Sequence, residues 1–184
     1  MQRICASLLL FMLTATTAFG QLELSFNSSS VSSAGQDVEI DIIVEDGFDE
    51  IISMQFSLNW DASIFAFSGI SNVTNVLPMF SEPSNIGTPV SATAVVDGQL
   101  TVSWSQTSTQ PASIPDGTRL FTLILSSVGP VCQGTSVDIS NTPRIIEVVN
   151  NDFDMIDLSA SGGDISIDDG NCDGMDMNLS LIHI

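Results

Sequence analysis

The side chains able to do chemistry are gathered near the end of the chain, in two acidic runs and two cysteines. Asp169, Asn171 and Asp173, followed by Gly174, have the Asp-x-Asn-x-Asp-Gly spacing that opens a calcium loop. Hard carboxylate and amide oxygens at alternate positions can converge on a divalent cation, so calcium is the cofactor this stretch could hold. The loop does not close in the usual way. Asp176 stands where an apolar residue is expected, and no bidentate acid follows at the closing position. A plain acidic linker fits the same residues. The other run, Asp152, Asp154 and Asp157, offers oxygen ligands without a loop pattern.

Other reactive constellations lack their parts. The sequence has no Lys and no Tyr, and its single histidine, His183, is second from the end. Schiff bases, Ser-His-Asp triads and histidine-bearing zinc sites are therefore without donors. Two carboxylates alone could run a glycosidase. Most acids here, however, alternate out of strands or crowd into turns, where their role is solvation. The expectation is a chain that is not an enzyme.

Residues 1–20 carry Arg3, an apolar run from Ile4 to Leu13 and a small-x-small ending at Gly20. This is the pattern of a secretory signal peptide, too short and wrongly flanked for a membrane span; a short N-terminal anchor is the alternative. Later segments fall short of the roughly 18 apolar residues that a spanning helix needs. Cys5 belongs to the leader, so in an oxidising compartment Cys132 and Cys172 are expected to pair. The last six residues, 179–184, resemble the translated end of a sequencing-library adapter. Residues 168–178 then read as an acidic linker or the start of a truncated following region.

Beyond the leader, two cations, Arg119 and Arg144, face 22 acidic residues, and the whole chain has a formal charge of −19. Such a field repels nucleic acid and anionic lipid and favours cations or basic partners. It also suits solubility in a salty medium. The hydrophobic residues, 43% of the chain, lie in periodic runs, which argues for a packed domain over disorder.

The elements that must position these groups announce themselves by period two. Leu22, Leu24 and Phe26 form one face. Val38, Ile40, Ile42 and Val44 alternate with Asp37, Glu39, Asp41 and Glu45. Ile52, Met54, Phe56, Leu58 and Trp60 alternate with Ser53, Gln55, Ser57 and Asn59. Residues 92–96, Asp97-Gly98 and residues 100–104 read as a hairpin, since Asp-Gly suits a type I′ turn. Residues 119–127, apolar on both sides, read as a central strand, and Val137 with Ile139, residues 145–149, and Ile165 with Ile167 supply the rest. No window has helical spacing with caps. About nine short strands punctuated by Gly, Pro and Asn predict one all-β domain over 21–167, an antiparallel sandwich of jelly-roll or Greek-key type.

Two long segments, 71–91 and 106–117, hold five prolines between them and are candidate binding loops, Phe80 being the exposed aromatic expected there. Trp60 and Trp104 could stack on sugars, but both continue the apolar parity of their strands and are expected in the core. Asn27-Ser-Ser and Asn72-Val-Thr are formal glycosylation sequons. Asp61, which ends the run SMQFSLNW, is expected to cap a turn through its carboxylate, with Ile64, Ala66 and Phe67 returning to the core.

The run from Gly35 to Val44, the stretch Met54-Gln-Phe-Ser-Leu-Asn-Trp-Asp-Ala-Ser-Ile-Phe-Ala-Phe67 and the later Asp116-Gly-Thr-Arg-Leu-Phe-Thr-Leu-Ile-Leu125 together resemble a cohesin domain. That family has a glycine-led strand, an aromatic-Asp-Pro corner and a Gly-x-Leu-x-x-Ile-x-Phe strand. Here Ala62 stands for the corner proline and Trp60 for the usual tyrosine. The resemblance implies a nine-stranded jelly-roll sandwich that binds a partner protein, in cellulosomes a calcium-loaded dockerin. It is similar to the cohesin-like modules of large secreted surface proteins. One polar sheet face, the row Gln55, Ser57 and Asn59, is then the candidate contact surface. A polysaccharide-binding module with exposed aromatics, or a spacer in a large adhesin, are the alternatives.

Overall fold

The computed structural model describes residues 20–106 and 110–172, and in them the chain is all β, with no helix among the described residues. In chain order the strands are β1 (Gln21–Phe26), β2 (Ser29–Val31), β3 (Asp37–Asp46), β4 (Ile51–Asn59), β5 (Phe65–Ser71), β6 (Ile86–Gly87) and β7 (Gln99–Ser105). Then come β8 (Thr118–Ser127), β9 (Gln133–Ser136), β10 (Asp138–Ser140), β11 (Glu147–Asn150), β12 (Met155–Gly162) and β13 (Asp164–Ile167).

The main sheet runs β5-β8-β3-β1-β12-β11-β4-β7-β6, with β10 beside the C-terminal part of β4. It curls into two facing layers, and β12 belongs to both. Met155 and Ile156 of β12 pair with β11, while the residues from Asp157 to Gly162 run parallel to β1. A smaller sheet, β2-β13-β9, adds Ile165 and Ile167 to the same core.

Alternation decides what each layer buries. Strand β3 turns Val38, Ile40, Ile42 and Val44 inward and leaves Asp37, Glu39 and Glu45 in water. From the other layer, Met54, Phe56 and Leu58 of β4 and Leu100, Val102 and Trp104 of β7 complete the core. Each such side chain contributes about 1.5–3 kcal/mol on burial, and one sheet face alone could not provide the cover. The expected sandwich is thus what the chain builds, with refinements that have local causes.

Two strand pairs, β1 with β12 and β2 with β13, are parallel. Parallel neighbours need a long connection, and strands from opposite ends of a domain are joined by all of it. The strand count exceeds nine because several segments are interrupted. Strands β10 and β11 both pair along one edge of β4 and are separated by a segment containing Pro143, which has no N–H to give a ladder.

On β4 the inward parity starts at Ile51, not at Ile52, which is half-buried. The register with β11 shifts between Val149 and Asn150, and one extra residue exchanges the faces of a strand. A similar shift of β8 against β3 lets the consecutive Leu120 and Phe121 both be buried. The expected hairpin over 92–104 does not form. Strand β7 pairs with β4 and with the short β6, and Asp97 uses its carboxylate to accept from the Phe67 and Gly98 N–H groups.

Where the layers join, Gly162 has φ +82°, and a Cβ there would stand 2.0 Å from the Phe26 carbonyl oxygen. Only glycine fits that backbone contact. Cys132 and Cys172 form the expected disulfide, with Cα atoms 5.4 Å apart.

Candidate functional site

The corner at Asp61 is the turn the sequence predicts. Its Oδ1 accepts from the Ser63 N–H at 2.8 Å and from the Ser63 hydroxyl at 2.6 Å. Its carbonyl accepts from Ile64 and Phe65, at 3.1 and 3.0 Å. Ile64 enters the core as expected, and Phe65, which was not expected there, is fully buried beside it; Ala66 and Phe67 are only half-buried. Asp61 is thereby committed to holding backbone.

The row Gln55, Ser57 and Asn59 does lie on the outer side of β4, but only part of it is accessible. Ser57 is buried. Its hydroxyl donates to the Arg144 carbonyl at 3.0 Å and accepts from the Arg144 N–H at 2.8 Å. The half-buried Asn59, with its amide set by hydrogen bonding, donates to the carbonyls of Leu58 at 2.8 Å and Thr142 at 3.0 Å. Residues 141–146 therefore lie over this half of the row, and Ser57 is corrected from a contact residue to a structural one. Across β7, Thr101 is buried too. A Cβ on Gly87 would meet its Oγ1 at 2.5 Å, with Ala92 and Val95 also close.

The other half of the face is open. Ser53 pairs with Ser105 and Gln55 with Ser103 across β4 and β7, while Val149 and Glu147 of β11 stand opposite Ser53 and Gln55. Ser105 is exposed, and Ser53, Gln55, Ser103, Glu147 and Val149 are half-buried. The face is thus made of small uncharged groups with one carboxylate. The opposite sheet is its electrostatic contrary, since its outer side carries Glu23, Asp37, Glu39, Glu45 and Asp157. There Asp41 pairs with Arg119 at 3.1 Å and accepts from the Thr122 hydroxyl at 2.6 Å.

Phe80 is not an exposed loop aromatic. It is 5% exposed, with its ring 6.4 Å from that of Phe121. The long proline-bearing segment folds back and closes the core. Trp60 and Trp104 are buried as parity predicts, and their indole N–H groups donate to the carbonyls of Phe65 at 2.8 Å and Pro78 at 2.7 Å. No sugar could stack on any of these three rings without unpacking the core.

Of the calcium-loop residues, Asp169 and Asn171 are described and Asp173 lies outside the described residues. The Asp169 Oδ1 accepts from the Asn171 N–H at 2.9 Å, and the Asp168 Oδ1 from Gly170 at 2.8 Å. Among the described residues, the one grouping of potential ligands is Asp169 with Cys132 and Cys172, and both sulfurs are spent in the disulfide. In the run 150–157 the ordering side chain is Asn150, whose Oδ1 accepts from the Asp152 and Asp154 N–H groups.

Ser103, Ser105, Val149 and Met155 complete the open face and were legible only as parity. Ser103 and Ser105 flank Trp104, so placing the tryptophan in the core places them outside.

No family model matches the chain, and no curated protein does. Among solved structures it is similar to cohesin modules. CaCohA2 from Clostridium acetobutylicum superposes with a TM-score of 0.63 at 14% identity, over 83% of this chain and 94% of that one. The third ScaC cohesin from Acetivibrio cellulolyticus, in complex with the ScaB dockerin, gives 0.59 at 13% identity over 80% and 99%. A type III cohesin of the cell-surface anchoring scaffoldin ScaE from Ruminococcus flavefaciens gives 0.56 at 11% identity over 83% and 89%. At such identities the likeness is one of fold. The class is that of jelly-roll β-sandwich modules, and within it this chain has the cohesin fold.

Proposed function

We propose that this chain is a secreted, non-catalytic binding module that docks a dockerin-like partner protein through the open half of the β11-β4-β7 face. The setting would be the cell surface or an extracellular polysaccharide-degrading assembly. The observation that carries the reading is the charge contrast between the sheets. In a chain of formal charge −19, Ser53, Gln55, Ser103 and Ser105 make a contiguous patch of uncharged groups on regular strands. Such a patch can be desolvated against a partner at little electrostatic cost, whereas the acidic sheet cannot. Strands also hold their side chains more rigidly than loops do, which lowers the entropy lost on binding.

Two further findings support it. Cohesins of the same fold are seen in complex with dockerins. The Cys132–Cys172 disulfide suits an oxidising, extracellular compartment. Burial of Trp60, Trp104 and Phe80 removes the aromatics on which a polysaccharide-binding reading depended.

The test is capture on the immobilised full chain of recombinant dockerin modules and, separately, of insoluble polysaccharides. Ser103→Arg is the control variant, expected to leave the melting temperature unchanged and to weaken dockerin retention about tenfold or more. Retention by glycan alone, or dockerin retention indifferent to Ser103→Arg, would overturn the proposal.

A further inference from the structure

The open face has one corner unlike the rest. The turn from β11 to β12 carries Phe153, which is 81% exposed, followed by Met155 at 66%. Met155 lies opposite Val149, Val149 opposite Ser53, and Ser53 opposite Ser105, so the methionine continues a row of the same outer face. Phe153, Met155 and Val149 form an apolar corner at the edge of a polar surface.

Phe153 is held there against its own preference. Its φ is +64°, the left-handed region that glycine or asparagine occupies easily and a bulky residue does not. The turn around it is fully tied. The Phe153 N–H donates to the Asn150 carbonyl at 3.0 Å, and the Asn150 N–H to the Asp154 carbonyl at 3.1 Å. The Asn150 side chain takes the N–H groups of Asp152 and Asp154 at 3.0 and 2.9 Å. An aromatic ring in a strained conformation, almost wholly in water, returns no packing energy to its own fold. Strain of this kind persists where the surrounding hydrogen bonds over-determine it, as they do here, and it clusters at binding sites.

We infer that Phe153 is the anchor of the docking face, and that it enters an apolar pocket on the partner whose rim carries Arg or Lys. The inference rests on the binding reading above and adds to it the anchoring residue and the partner's chemistry. The rim is basic because the anchor is flanked on both sides by exposed carboxylates, Asp152 and Asp154. A partner that buried the ring against neutral or acidic groups would strand those charges. Rigid aromatic anchors at low entropic cost are the usual source of binding energy in protein interfaces. The same acidity argues against a second copy of this chain as the occupant, because two such corners repel.

The experiment is a selection of binders to the full chain from a displayed library of a small helical domain with randomised surface positions, made without any counter-selection at Phe153. The expected binders carry an apolar pocket edged by Arg or Lys. They lose about 30-fold or more in affinity on Phe153→Ala, weaken with Asp152→Asn plus Asp154→Asn, and weaken further as salt rises. In the absence of any binder, Phe153→Gly is expected to raise the melting temperature of the chain, because glycine relieves the backbone without removing a buried contact. Binders that tolerate Phe153→Ala, selected surfaces without basic residues, or a melting temperature lowered or unchanged by Phe153→Gly would each overturn the inference. If Ser103→Arg abolishes dockerin capture while Phe153→Ala does not, the docking reading stands and the anchor alone fails. If no dockerin is retained by any form of the chain, the docking reading fails first.

Discussion

At the residue scale, the same side-chain type does opposite work according to what covers it. Ser57 and Ser103 share the outer side of one sheet, yet Ser57 is a fastener and Ser103 is surface. The Ser57 hydroxyl both donates to and accepts from the backbone of Arg144. Removing it takes one partner from both the Arg144 N–H and its carbonyl at a part-buried position, which costs about 1–3 kcal/mol. Ser57→Ala is therefore expected to destabilise the chain by that amount in chemical denaturation, whereas Ser103→Ala is expected to change it by less than about 0.5 kcal/mol. Equal effects would mean that residues 141–146 do not bear on β4. Phe80 and Phe153 make the same comparison among aromatics. The phenylalanine in the long loop is core, and the one in the four-residue acidic turn between β11 and β12 stands in water.

At the element scale, the fold depends on how its two ends are held. Strand β12 is shared by both layers, and β13 follows it directly into the small sheet. After β13 the chain is pinned by Cys172 to Cys132, which precedes β9 and whose N–H donates to the Ile167 carbonyl at 2.7 Å. A bridge across 40 residues is worth roughly 2–4 kcal/mol through its constraint on the unfolded chain. Reduction, or the double substitution Cys132→Ala with Cys172→Ala, is expected to lower stability by that amount. The hydrogen-exchange protection lost should concentrate in β9 and β13, while β3, β4 and β8 keep theirs. Uniform loss across all strands would show that the small sheet and the sandwich unfold as one unit.

At the scale of the whole molecule, the charge is distributed as unevenly as it is large. The acidic outer side of the β1-β3-β8 layer has Arg119 as its cation, half-exposed and paired with Asp41, an interaction worth at most about 1 kcal/mol. Self-repulsion among the remaining carboxylates opposes the compact state. Raising ionic strength from about 0.01 M to about 0.5 M shortens the screening length from about 30 Å to about 4 Å and is expected to raise the melting temperature. A melting temperature that falls or stays constant would show that specific ion pairs outweigh the net field.

Much of this was legible without coordinates. Period-two alternation in β1, β3, β4 and β7 is a local property, because successive side chains on any strand point to opposite faces. It placed Leu22, Ile40, Phe56 and both tryptophans in one core and therefore implied two layers. The Asp61 turn and the Cys132–Cys172 pair were readable for similar reasons, a short-range carboxylate geometry in one case and the lack of any other cysteine partner in the other. What alternation cannot determine is which loop lies over which strand. Ser57 reads as surface by parity until residues 141–146 close on it from 84 positions or more along the chain. The one-residue shifts opposite Val149 and Ile42, the pairing of β1 with β12, and the open corner at Phe153 likewise depend on contacts between distant segments. Period and turn chemistry belong to neighbours in sequence, so the sequence by itself determined the strands and their inward faces. Register, cover and exposure belong to neighbours in space, so only the tertiary structure decided which part of the polar face is left free to bind.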